Sequence, residues 1–213
     1  MKKETLMNEI KEAANHILSF PWENEEFYAH WLAQTYYYVS HSTRLLALSA
    51  ARFGMDKDNL HQRFLKHCQE EKKHERLAVT DLQSLGKKLS DYPELSATCN
   101  FYQTQYYWIE HVAPETFFGY IIALEGLAVE VGERLNNKIK GCHVGKTSRF
   151  LEVHAGEDPD HLDKALEMIY SDLHGSAGFD LVMKNFKQAV ENYHDILRAC
   201  QRASEGKTLR KVA

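Results

Sequence analysis

Apolar residues recur every three to four positions along almost the whole of this chain, and little interrupts that rhythm. Only 4 Pro and 11 Gly punctuate 213 residues, and no stretch of useful length alternates with the period of two that a strand requires. An all-α fold is therefore expected. The spacing predicts a first helix over 5–20, carried by Leu6, Ile10, Ala13, Ala14 and Ile17 and stopped by Pro21. A long second helix runs over 24–53 and ends at Gly54. A third starts at a cap on Asp58 or Asn59 and runs to Leu85 before Gly86. Pro93 and Pro114 open a fourth helix to about Glu110 and a fifth through Leu135. The polar stretch 136–144 reads as a loop. A short sixth helix over 147–155 ends at Gly156, and Asp158-Pro159 signals a seventh that reaches about Leu173. A last helix covers 179–202. No repeat or linker divides the chain, so a single bundle of seven to eight helices spanning 1–213 is expected, with its core over 5–202 and a short flexible tail over 203–213.

Composition narrows the class of partner. The net charge is −4 and no run of Lys or Arg marks a nucleic-acid surface; the basic stretch from Lys207 to Lys211 is short and terminal. The longest apolar run, 117–131, is too short to cross a bilayer and contains Glu125 and Glu130, so no membrane association is expected. The charged start, Met1-Lys2-Lys3-Glu4, is unlike a signal peptide. Cys68, Cys99, Cys142 and Cys200 are scattered and form no CxxC, which fits reduced thiols and a cytoplasmic location.

Three segments carry chemistry. The expected third helix contains His67-Cys68-Gln69-Glu70-Glu71-Lys72-Lys73-His74, in which positions 67, 71 and 74 fall on one helical stripe and Glu71 and His74 form ExxH. The bland reading of ExxH is a solvated face, since Lys72 and Lys73 lie within it. In the fifth, Glu125 stands in a nearly unbroken apolar context, where a lone carboxylate is costly unless a metal or a basic partner meets it. The third, His154 through His161, places two imidazoles around Asp158 as HxxxDxxH across an expected helix break, with Asp158 doubling as cap. Carboxylate and imidazole together suit iron, manganese or zinc better than calcium or magnesium.

With these segments in hand, the chain resembles the heme-oxygenase-like diiron oxidases, a branch of the fold group that holds heme oxygenase, thiaminase II and pyrroloquinoline-quinone synthase. The resemblance rests on Gln34-Thr35-Tyr36-Tyr37-Tyr38, on 70–75 with Asp81-Leu82 and Leu85-Gly86 after it, on Leu124-Glu125-Gly126, and on 154–161. It implies a bundle holding two Fe ions, with Mn as an alternative, that activates O2 against a small-molecule substrate in a biosynthetic pathway. The outcome would be N-oxygenation, carbon–carbon cleavage or oxidative decarboxylation.

On that resemblance His74, Glu125, His154, Asp158 and His161 match ligand positions. The remaining carboxylate varies in placement among members: Glu71 fits one placement, and His67 occupies another where members carry an acid. Glu71 is the choice, with His67 as a further ligand or the partner of one. Tyr37 and Tyr38 can donate hydrogen bonds to the ligands or simply pack the bundle. A homodimer is implied as common in the fold group. The alternatives are a metal-independent enzyme of the thiaminase II or quinone-synthase kind, a heme protein using His16, or a non-catalytic helical interaction protein.

Overall fold

The computed structural model describes the backbone of residues 1–212 and every side chain in that range except those of Glu157, Asp158, Asp160 and 207–212. The helices are α1 (Lys3–Ile17), α2 (Glu25–Val39), α3 (Ser42–Arg52), α4 (Asp58–Glu70), α5 (Glu75–Ser84), α6 (Ser96–His111), α7 (Phe117–Cys142), α8 (Arg149–Met168) and α9 (Ala177–Val212). No strand occurs among the described residues.

Two of the expected helices are split and two are joined. The second becomes α2 and α3, with a turn at Ser40 and His41. The third becomes α4 and α5, with a turn over 71–74 in which Lys73 adopts φ 75°. A lysine in the left-handed region costs about 1–2 kcal/mol. ExxH therefore does not lie on one helical stripe: Glu71 closes α4 and His74 opens α5. The expected break near Gly156 is absent, since α8 runs through it with Pro159 inside the helix. Proline there removes the N–H that would bond to the Ala155 carbonyl and crowds that carbonyl with its ring, at a cost of about 3 kcal/mol. Leu151, Leu162, Ala165 and Leu166 bury one face of α8 and outweigh that loss.

The loop expected over 136–144 is largely helix, because Leu135 and Ile139 continue the buried stripe of α7. The tail expected from 203 begins as helix, with Ser204 fully buried; its side chains from 207 lie outside the described residues.

α2 is buried on almost every side and packs on α5 and α9, while α7 packs on α1, α8 and α9. One apolar cluster draws on all of these helices. Gly119 sits where α7 and α9 cross, and any Cβ there would collide with the backbone of Val182 and Phe186. The N-terminus of α8 is anchored from outside itself. The fully buried Asp81 of α5 accepts hydrogen bonds from the Arg149 amide at 2.9 Å, the Phe150 amide at 2.9 Å and the Thr147 hydroxyl at 2.7 Å. A carboxylate at this end also complements the helix dipole.

Candidate metal centre

Side chains from α4, the turn after it, α7 and α8 converge on two adjacent groups. His67, Glu125 and His161 form the buried one, and Glu71, His74 and His154 form a half-buried one; within each group, ligand atoms lie within 4.8 Å of one another. In the first, His67 Nε2 stands 3.2 Å from Glu125 Oε1, and His161 Nδ1 stands 3.8 Å from the same oxygen. In the second, His74 Nδ1 is 3.5 Å from Glu71 Oε2. The two meet where His67 Nε2 comes within 3.6 Å of Glu71 Oε1.

The residues fit a bound metal pair. His67 Nε2, His161 Nδ1 and Glu125 Oε2 are buried and make no hydrogen bond. Buried polar atoms are rarely left so, and three that converge mark a place where a cation would satisfy them. His154 Nδ1 lies 2.7 Å from the Phe150 carbonyl. A carbonyl only accepts, so Nδ1 carries the proton and Nε2 is left with its lone pair, the tautomer a ligand needs.

Electrostatics reinforce the grouping. Burial disfavours a charged His67, but Glu125 and Glu71 outweigh it and lift the imidazole from 6.5 to about 9. Burial also opposes ionisation of Glu71, and His67 and His74 overcome it, so this carboxylate stays ionised well below the usual range. Glu125 is raised, chiefly by burial. His161 is lowered by burial and then by the charge on His67. A metal can take His67 only in its neutral form. Metal uptake is thus expected to release a proton and to tighten with pH between 6.5 and 9, by up to about tenfold per unit, before levelling. Metal titrations across that range check this; a flat profile contradicts a ligand role for His67.

Of the residues singled out in the sequence, Glu71, His74, Glu125, His154 and His161 are brought together, and His67 joins them in the buried group. The Asp158 side chain lies outside the described residues, and no helix starts at that position for it to cap. Tyr38 lines the cavity beside the centre. Tyr37 points away and donates to the Tyr92 carbonyl at 3.2 Å. His16 is exposed and packs on Phe20 and His194, outside the cavity lining.

Two residues were missed by the sequence reading. Glu70 Oε2 lies 3.4 Å from His161 Nε2, and Arg63 reaches Glu70 at 3.9 Å while its Nε, buried, has no hydrogen-bond partner. The signal for both was the stripe 63, 67, 70 along α4.

Solved structures place the fold. A domain with a heme oxygenase-like fold from Shewanella denitrificans is similar at a TM-score of 0.86 and 19% identity, covering 100% of this chain and 97% of that one. A TenA homolog from Pseudomonas syringae pv. tomato is similar at 0.76 and 12%, covering 92% and 91%. A TenA homologue from Pyrococcus furiosus is similar at 0.68 and 15%, covering 94% and 100%. At such identities the likeness shows the heme-oxygenase-like all-α fold. No curated protein matches the chain. A family model for iron-containing redox enzymes matches residues 29–194, a span that runs from within α2 to the middle of α9 and takes in every residue of both candidate groups. The chain belongs to the family of iron-containing redox enzymes.

Proposed function

We propose that this protein is an O2-dependent non-heme diiron oxidase or oxygenase acting on a small molecule. The observation that carries the reading is the pair of adjoining carboxylate–imidazole groups, three donors each, with unsatisfied buried atoms in the first of them. When bound, two ferrous ions supply the electrons that reduce O2 for attack on a substrate.

The protein's own residues do the rest. His67, Glu125 and His161 would hold one ion and Glu71, His74 and His154 the other, and Glu70 stands close enough to His161 to join or to orient it. Glu71 and Glu125 offset the charge of the ions. Asp81 holds the first turn of α8, and through it the spacing of His154 and His161 from α4 and α7. The cavity walls exclude water: beyond the ligands they consist mainly of aliphatic and aromatic side chains.

The TenA relatives raise a second reading, a metal-independent enzyme of the same fold. It finds less support in the site. No cysteine lines the cavity among the described residues, and Cys68 donates instead to the Thr43 carbonyl at 3.3 Å, with burial pushing its thiol up. Oxygen uptake separates the two. The ferrous-loaded full-length chain is expected to consume O2 with a change in its absorption spectrum, and His161→Ala is expected to lose both. Full turnover by chelator-treated protein would overturn the oxidase reading.

A further inference from the structure

The cavity beside the metal groups has a shape and a polarity that specify its occupant. Its volume is about 110 Å3, enough for roughly seven to eleven water-sized groups at ~10–15 Å3 each. Its wall on α7 is a stripe at three- and four-residue spacing from Phe117 and Tyr120 through Leu124 and Ala128 to Val131 and Leu135. Leu135 is eighteen residues beyond Phe117, so the stripe extends ~27 Å at ~1.5 Å per residue. A volume this small spread over that length is a narrow tube. Glu125 lies near the middle of the stripe, and His67, Glu71 and His154 border the same cavity. The tube therefore continues past the metal groups in both directions.

No Lys or Arg lines it, and apart from Ser42 its ends are walled by apolar side chains. Phe117 and Leu46 lie at one end, Leu135, Phe150 and Leu151 at the other. A charged group at either end would be buried without a partner. Among the polar residues of the wall, Tyr120 is only 2% exposed and its hydroxyl has no hydrogen-bond partner. The nearby Tyr193 hydroxyl is already engaged, accepting from Trp31 Nε1 at 3.1 Å.

We propose that the substrate is an elongated apolar chain with uncharged ends. It carries one uncharged hydrogen-bonding group that meets Tyr120, and it lies along α7 so that its interior passes the metal groups. This rests on the oxidase reading only in naming the occupant a substrate; the occupancy itself can be measured without iron. The probes are 1-butanol, 1-decanol and decanedioate, titrated into the metal-free full-length chain and followed by tryptophan fluorescence, since Trp31 lines the cavity.

Decanol is expected to bind at least about a hundredfold more tightly than butanol, because each buried methylene adds a factor of about four. Decanedioate is expected to bind at least about a hundredfold more weakly than decanol, since one of its charges must lie in an apolar end. Tyr120→Phe should lower decanol affinity about fivefold, and Ala128→Trp should abolish binding by filling the tube. Decanol and butanol within threefold of each other, or decanedioate equal to decanol, would overturn the proposal, and both comparisons need only the wild-type chain. Iron stoichiometry is measured separately. Loss of the alcohol preference with iron binding intact refutes the substrate class alone, and the reverse pattern refutes the oxidase reading alone.

Discussion

Replacing Glu125 with Gln or Ala is expected to lower metal affinity at least about a hundredfold and to abolish O2 uptake, while the helical content is kept. Glu125 is the carboxylate of the buried group; it is the nearest acid to His67, at 3.2 Å, and lies 3.8 Å from His161. Removing even the outer hydrogen-bond partner of a metal ligand costs 10–100-fold, so loss of a ligand itself should exceed that range. Gln preserves the volume and one carbonyl acceptor but cannot neutralise a cation. The variant separates binding from folding because Glu125 is only 6% exposed and its Oε2 bonds to nothing in the metal-free chain. Gln keeps the surrounding packing in place, and His67, which loses a charged partner, can shed its proton. Metal analysis beside far-UV circular dichroism checks this outcome. Full metal retention by Glu125→Ala would contradict the assignment.

Asp81→Ala is expected to destabilise the chain by about 3 kcal/mol or more and to weaken metal binding with it. The side chain is fully buried and accepts three hydrogen bonds, two of them from the first amides of α8. Hydrogen bonds to a charged group contribute about 1.5–3 kcal/mol each, and every donor left unpaired in the interior adds about 1–3 kcal/mol. For a chain of this size such a loss lowers the melting temperature by roughly 6–12 °C. Asp81→Asn keeps one acceptor oxygen and should fall between. Urea unfolding of the three proteins gives the ordering. An Ala variant as stable as the parent would show that α8 needs no anchor from α5.

The all-α fold was legible in the sequence because the apolar period is nearly continuous, and so were most of the residues that the fold brings together in the two groups. The errors share one cause, which is tertiary packing overriding local signals. Gln69-Glu70-Glu71-Lys72-Lys73 contains no breaker and consists of good helix formers, yet the chain turns there and puts Lys73 at positive φ. That turn sets Glu71 and His74 side by side in one group while leaving His67 to the other, so the relation of Glu71 to His67 could not be read from a straight helix. In the opposite sense, Gly156 and Pro159 advertise a break that α8 does not make, because the buried face from Leu151 to Leu166 outweighs the lost hydrogen bond and the crowding of the proline ring. Glu70 was hidden among exposed-looking neighbours; only the stripe it shares with Arg63 and His67 reveals where it points.

The measurement that bears most directly on the central claim is an anaerobic titration of the full-length metal-free chain with ferrous iron, followed by elemental analysis and by exposure to O2. The expected result is a break at two irons per chain, loss of that break in Glu125→Ala, and an absorption change when O2 is admitted to the parent. Saturation well below two irons per chain, with no optical response to O2, would contradict a diiron centre built from these two groups.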